Sequence, residues 1–188
     1  MHDNSIHLVG ETIDPKSAHR RARGGELIPI VRGVYVVAGS DADAVLREHA
    51  VRIARYLYPA AYLSSASAIL LSPTADGRLF LSGRRNQRTR LRGLDIVQTQ
   101  APPRPSLDNA VVGDSLGEFS VKISSPEQRM LEAFRLRSEQ ASAISDDMRR
   151  RTAERLIAQY GTPEAAADAL WTLARANDWF REGEGAER

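Results

Sequence analysis

Cysteine is absent from this sequence of 188 residues, which excludes disulfide bonds, thiolate catalysis and zinc sites built on cysteine. The four histidines lack the spacing of a metal-binding motif, so we predict no metal and no other cofactor. No apolar run is long enough to cross a membrane. The N-terminus has neither a basic region nor a long apolar stretch, so it does not predict a signal peptide. We therefore expect a cytoplasmic protein that does not associate with membranes.

Lysine is scarce, because it occurs only at Lys16 and Lys122, and arginine supplies nearly every positive charge. The net charge is only +2, so the chain as a whole is not expected to bind polyanions through its overall charge. The charge is uneven, since residues 78–92 contain six arginines and no acidic residue. A bias toward arginine often accompanies a GC-rich genome. An arginine cluster alone is therefore weak evidence for a binding site.

The common enzyme motifs are missing as well. The sequence contains no P-loop, no dinucleotide-binding fingerprint, no His-Glu-x-x-His and no Gly-x-Ser-x-Gly. The serines of SSAS, residues 64–67, are interpreted as the start of a helix. Asp76, Asp95, Asp108 and Asp114 are scattered without the paired spacing of a two-metal site. We predict a protein that is not an enzyme, with a Mg²⁺-dependent nuclease as a minor alternative.

The sequence contains enough apolar residues, 42%, to form a hydrophobic core. Predicted helices do not alternate strictly with strands, so the expected fold class is α+β rather than a doubly wound α/β sheet. We expect a degenerate winged-helix-like unit at residues 1–39, an α+β domain at 40–182 and a polar tail at 183–188.

Apolar spacing predicts the helices, and alternating patterns predict the strands. Capping residues predict where helices begin: Asp14 with Pro15, Ser40 or Asp41, Ser64 or Ser65, Ser125 with Pro126 and a capping box to Gln128, and Thr162 with Pro163. The expected helices are 15–23, 40–58, a short turn after Ser64, 124–137, 146–160 and 162–180. The expected strands are a short one at 5–9, a ribbon at 27–37, and 78–83, 94–100 and 117–123. Residues 83–93 are predicted as a loop and 101–110 as an irregular connection, because prolines interrupt the latter.

A basic helix followed by a ribbon is the main functional signal. Helical spacing places Lys16, Arg20 and Arg23 on one face, with Arg21 beside them. Arg32 lies at the tip of the ribbon. Winged-helix proteins approach DNA with such a helix and wing. These five residues are the predicted DNA contacts, and a merely solvated helix face is the alternative.

A second basic cluster lies in the predicted loop at residues 83–93. Its members are Arg84, Arg85, Arg88, Arg90 and Arg92. We expect them to contact nucleic acid or an acidic partner, although a solvated loop would explain them equally well.

Four segments in this order resemble a known family. They are GELIPIVRGVYV at 25–36, YLSSASA at 62–68, LFLSGRRNQRTRLRGLDIVQ at 79–98 and VKISSPEQRMLEAF at 121–134. Together they are similar to the AbiEi-type antitoxins of type IV toxin–antitoxin systems. The chain departs from that pattern in two places: the helices that precede the basic helix are largely missing, and Glu132 stands where the family more often has Asp.

The resemblance implies a non-catalytic bacterial protein with two activities. Its N-terminal unit would repress its own operon by binding operator DNA, and the rest would counter a nucleotidyltransferase-like toxin. The arginine-rich loop and the C-terminal helices would face the partner or nucleic acid. The alternative is a protein–protein adaptor or regulatory domain in which the reduced winged helix serves packing. The sequence leaves the oligomeric state open.

Overall fold

The computed structural model describes residues 5–135 and 138–187, and within these ranges the chain has a mixed α+β fold, as predicted. The strands are β1 (Ile6–Leu8), β2 (Leu27–Val31), β3 (Val34–Val37), β4 (Tyr62–Leu63), β5 (Arg78–Gly83), β6 (Gln87–Leu91), β7 (Leu94–Gln100), β8 (Leu107–Asp114) and β9 (Gly117–Ser124). The helices are α1 (Pro15–Arg23), α2 (Ala42–Glu48), α3 (Ala50–Leu57), α4 (Ser65–Leu70), α5 (Pro126–Ala133), α6 (Glu139–Ser142), α7 (Asp146–Tyr160), α8 (Pro163–Ala176) and α9 (Phe180–Glu187).

A small antiparallel sheet with the strand order β1–β3–β2 forms the N-terminal part. The predicted ribbon is confirmed as the β2–β3 hairpin, which turns at Arg32 and Gly33 between the paired residues Val31 and Val34. Pro29 lies in β2, an edge strand of this sheet, where its missing N–H costs no ladder bond. Residues 5–14 form β1 and turns and contain no helix, so they hold no counterpart of the helices that precede a recognition helix.

The large sheet has the order β6–β7–β5–β4–β9–β8. Its β5–β7 and β4–β9 pairs are parallel, and the other pairs are antiparallel. Two predictions of irregular structure were wrong here. The expected loop 83–93 contains β6, and the last four residues of the expected connection at 101–110 belong to β8. Both strands lie at edges of the sheet. Strand β6 is mostly polar, and in β8 the exposed Val111 stands between the core-packed Ala110 and Val112, so neither amino-acid sequence alternates as that of a half-buried strand does.

The single helix predicted at 40–58 is two helices, α2 and α3, which meet at His49. Its predicted start is confirmed, because the Asp41 side chain caps α2 by accepting from the backbone N–H groups of Asp43 and Ala44. Other caps also begin helices as expected, including Ser125 before α5 and Thr162 before α8. The last two residues of the predicted 124–137 helix lie outside the described ranges. Helix α9 covers most of the predicted polar tail at 183–188, up to residue 187.

One hydrophobic core joins the two sheets. It contains residues of β1 and β3, of α2 and α3, and of one face of the large sheet. This core therefore includes residues from before and after the domain boundary that the sequence suggested between residues 39 and 40. A second core lies among α5, α7 and α8 and is built on Leu131, Leu156 and Leu170. None of the helices in the described ranges is long and apolar enough to span a membrane.

Candidate nucleic-acid interface

Helix α1 begins and ends where its sequence predicts. The Oδ1 atom of Asp14 accepts a 2.9 Å hydrogen bond from the N–H of Ser17, and Pro15 occupies the first turn. The hydrogen bonds from Ser17 lower the pKa of Asp14, so the carboxylate stays charged at the positive end of the helix. Ala18 is the buried residue of α1 and defines the side that packs on the protein.

The opposite side of α1 carries Lys16, Arg20 and Arg23, and all three side chains are exposed. In the part of the chain that the structure describes, none of them has a carboxylate within 4.0 Å. Basic residues in the last turn sit near the partial negative charge of the helix end, which favours them electrostatically. These three side chains therefore form an exposed basic face of α1, and their contact with DNA stays a prediction.

Arg21, the fourth predicted contact on α1, is placed differently. Its Nε lies 3.0 Å from Oε2 of Glu26, and its Nη1 lies 3.4 Å from Nε2 of His7, a buried residue of β1. The side chain is half-buried. It links α1 to the small sheet instead of extending toward solvent with Lys16 and Arg20.

The hairpin tip is docked against helix α3. Gly33 has a φ of +81°, and a Cβ at this position would lie 2.2 Å from the hydroxyl oxygen of Tyr56. That hydroxyl donates a 3.0 Å hydrogen bond to the carbonyl of Val9. Arg32, the neighbouring residue at the tip, is exposed. The tip is thus held by packing on one side and presents an arginine on the other.

The arginines of residues 84–92 do not form a single free cluster. Arg88 pairs with Asp95 and with Glu139, and the Nε of Arg92 lies 2.8 Å from Oδ1 of Asp43. These contacts use two of the five predicted side chains to attach the β6 edge to neighbouring elements.

The remaining three arginines of this group are exposed. The Nε of Arg85 donates to the side chain of Gln87 at 3.1 Å. Among the described residues, Arg84 and Arg90 have no carboxylate within 4.0 Å. The cluster is therefore a weaker candidate surface than the face of α1.

The scattered aspartates are also partly explained. Asp76 pairs with Arg78, Asp95 with Arg88, and Asp114 with Arg52. No group of three or more potential ligands suited to a metal ion occurs in the described residues.

A second group of polar residues fastens the β8–β9 hairpin to α2 and α3. The buried imidazole of His49 has its Nδ1 3.0 Å from Oδ2 of Asp114 and its Nε2 3.2 Å from Oγ of Ser115. This order resembles a Ser-His-Asp triad, but the amides that would form an oxyanion hole are occupied. The N–H of Ser115 donates to Glu48, and the N–H of Leu116 donates to Asp114. These contacts form a clamp that attaches the β8–β9 hairpin at His49, where α2 and α3 meet.

A buried polar network connects two of the segments that carry the family resemblance. The carboxylate of Glu132, only 2% exposed, accepts hydrogen bonds from the N–H of Ser65 at 2.8 Å and from Nε2 of Gln128 at 2.8 Å. Gln128 also donates to the hydroxyl of Tyr62 at 2.8 Å. Burial raises the pKa of Glu132, and burial together with that carboxylate raises the pKa of Tyr62 to about 12.

The sequence did not reveal this network. Ser64 precedes α4 as expected, but its side chain makes no capping bond and accepts instead from Nε2 of Gln140 at 3.1 Å. The predicted capping box is half formed: the N–H of Gln128 donates to Oγ of Ser125 at 3.2 Å, but the side-chain amide of Gln128 lies in the network. The one available signal was the density of small polar residues flanked by apolar ones in YLSSASA, which is unusual for an exposed turn.

Comparison with models of known protein families found no match to this chain, and comparison with curated proteins found no similar sequence.

Proposed function

We propose that this protein is a DNA-binding, antitoxin-like transcriptional regulator that contacts operator phosphates with the exposed face of α1. The observation that carries the proposal is that Lys16, Arg20 and Arg23 share one solvent-exposed face without carboxylate partners in the described structure. Unpaired cations on a helix are available to neutralise phosphates and release counterions, which is the main source of affinity in such complexes.

The hairpin supports the same proposal. Arg32 lies at the tip of a turn that directly follows α1 and β2, and the rigid attachment of Gly33 to Tyr56 holds the turn in place. A fixed wing loses little conformational entropy when it meets DNA, so its arginine adds affinity at low cost. Phosphate contacts position a protein on the duplex, whereas base contacts specify the sequence. The proposed contacts therefore explain affinity and orientation, not the operator sequence.

The antitoxin part of the proposal depends on the resemblance of the four segments. We infer a nucleotidyltransferase-like toxin as the partner and place its contact on the remainder of the chain, where Arg84, Arg85 and Arg90 stay exposed. Co-expression with the product of the adjacent gene tests this directly. We expect the chain to relieve the growth defect caused by a neighbouring nucleotidyltransferase, and an unrelieved defect would count against an antitoxin role.

Fluorescence anisotropy with DNA from immediately upstream of the operon tests DNA binding. We expect the triple variant Lys16→Ala, Arg20→Ala and Arg23→Ala to bind more weakly. We also expect the slope of log K against log salt concentration to become shallower by about 2.7, because each lost phosphate contact removes about 0.9. The loss should be similar for operator and unrelated DNA, since phosphate contacts carry no sequence information.

A matched control removes the same charge elsewhere. Arg150→Ala, Arg151→Ala and Arg181→Ala delete three exposed arginines from α7 and α9 and should leave the salt slope unchanged. Equal slopes for the two triple variants, or no binding by the wild type at about 50 mM salt, would refute DNA contact through α1.

The second candidate function is a protein–protein adaptor. The adaptor function is favoured by the packing of Gly33 on Tyr56. A hairpin tip that is buried on one side can have a purely structural role, without contacting DNA. If the chain co-purifies with the neighbouring gene product and retains no DNA, this candidate replaces the first.

A further inference from the structure

The two edges of the large sheet are protected very differently. Strand β6 has five residues, two of them the charged Arg88 and Arg90, and such charges discourage pairing with another strand. Strand β8 has eight residues, contains no lysine or proline, and exposes 64% of Val111. It also has two charged residues, but Asp114 is paired with Arg52, which leaves Asp108 as the charge at this edge. A long edge with so little free charge is a template for another strand.

The ladder shows which backbone groups are available on β8. The N–H of Ser125 donates to the carbonyl of Ser106 at 2.9 Å, one step beyond the Leu107–Ser124 pair, and the register continues without a shift to Asp114 and Gly117. Hydrogen-bonded and non-hydrogen-bonded residue pairs alternate in an antiparallel ladder. Because Ser106 belongs to a hydrogen-bonded pair, the even-numbered residues of β8 form the backbone hydrogen bonds with β9. The open edge presents the N–H and C=O groups of the odd-numbered residues Leu107, Asn109, Val111 and Gly113.

We propose that β8 pairs with β8 of a second copy of this chain, antiparallel, about a two-fold axis at Ala110. In this register Leu107 faces Gly113 of the copy and Asn109 faces Val111, which gives four bonded residue pairs and about eight backbone hydrogen bonds. The large sheets of the two copies then join into one continuous sheet.

Symmetry favours a second copy as the occupant, and charge disfavours one competing register. Shifting the axis to Val111 places Asp108 opposite Asp114 of the copy, and like charges directly opposite each other are destabilising, although the ion pair of Asp114 with Arg52 reduces this repulsion. With the axis at Ala110, Asp108 faces Val112 instead. Pairing β8 with the β6 edge of another copy leaves a free edge at each end and generates an open chain of molecules, whereas β8–β8 pairing closes as a dimer. The small net charge of +2 adds little repulsion between copies.

Sedimentation equilibrium of the full chain measures the association, independently of any DNA binding. A single strand pair is a small interface, so we expect a dissociation constant on the order of 10–100 µM. Val111→Lys should raise the dissociation constant at least about tenfold because it places a charge at the edge, and Asn109→Pro should do the same because it removes an outward N–H. The control Gln87→Lys places the same charge on β6 and should leave the dissociation constant unchanged.

Single cysteines test the register, because the chain has no cysteine of its own. Ala110→Cys places two thiols in a non-bonded pair with Cα atoms about 4.5 Å apart, within disulfide range. Val112→Cys keeps its thiols about 14 Å apart, since they are offset by four residues along the strand. We expect rapid disulfide formation under mild oxidation only for Ala110→Cys. A wild-type chain that stays monomeric at about 500 µM, or equal cross-linking of both variants, would overturn the proposal.

Discussion

Replacing Gly33 with alanine tests how firmly the hairpin tip is attached to α3. The backbone at this position has a φ of +81°, and the new Cβ would lie 2.2 Å from the Tyr56 hydroxyl and 3.0 Å from its Cζ. Tyr56 is half-buried and its hydroxyl is bonded to the carbonyl of Val9, so the ring cannot move aside without losing that bond. The variant therefore incurs both a backbone cost and a packing cost.

The two costs can be estimated separately. A non-glycine residue in the left-handed region costs about 1–2 kcal/mol. Forcing an extra carbon into a packed contact costs a further amount of about 1–3 kcal/mol. Gly33→Ala should therefore lower the free energy of unfolding by about 2–5 kcal/mol. Gly25→Ala is the matched control, because its φ is +77° and no atom lies within 4 Å of its new Cβ, so only the backbone cost applies.

Urea denaturation followed by circular dichroism measures the three free energies of unfolding. The double variant Gly33→Ala with Tyr56→Phe should recover part of the packing cost, since the nearest clashing atom is then removed. If Gly33→Ala costs no more than Gly25→Ala, the tip is not held against Tyr56, and the argument for a rigid wing fails with it.

Two further predictions concern buried carboxylates. Burial raises the pKa of Glu132, so the contribution of this group to the free energy of unfolding is fully present below the unfolded-state pKa near 4.5 and is lost as pH rises through the folded-state value. Glu132→Gln removes this dependence, and urea titrations from about pH 5 to pH 8 that run parallel for both proteins would contradict it. Burial alone would raise the pKa of Asp114, but the hydrogen bonds from Arg52 and His49 outweigh burial and lower this pKa. The stability that Asp114 contributes is therefore lost only as pH falls below about 3.8, the unfolded-state pKa. Asp114→Asn leaves the Arg52 guanidinium, 11% exposed, without its carboxylate partner, although its hydrogen bond to the carbonyl of Gly117 remains. The variant should cost about 3–5 kcal/mol at pH 7 by the same assay. A loss below about 1 kcal/mol would show that the clamp is not needed.

Local signals in the sequence predicted the elements that depend on local chemistry. Asp14 with Pro15, and Ser125 with Pro126, mark the starts of α1 and α5 because a side-chain oxygen and a ring-locked φ act within one turn. Gly33 marks the hairpin turn because few other residues adopt its φ. The exposed face of α1 follows from helical spacing once the helix is known.

Elements that depend on distant residues were not predictable in this way. Strands β6 and β8 exist because β7 and β9 offer them hydrogen-bonding partners, and their own exposed sequences carry little strand signal. The helix break lies at His49, which contacts Asp114 and Ser115, and these partners are more than 60 residues away in the sequence. Arg21 and Arg88 look like free cations in the sequence, and only the folded chain brings Glu26, Asp95 and Glu139 to them.

The buried polar network joins two of the segments that were compared with the antitoxin pattern. YLSSASA and the segment that contains Gln128 and Glu132 meet inside the protein, and their polar atoms bond to each other rather than to solvent. A buried polar network is costly when any member lacks a partner, so these residues are mutually dependent for a reason internal to the fold. The likeness of these segments to the antitoxin pattern, which stays a prediction, therefore concerns packing inside the fold and says nothing about a partner. A partner has to be sought at exposed groups. The face of α1, whose cations have no carboxylate partner among the described residues, and the edge strand β8 are where variants should first separate DNA binding, self-association and folding.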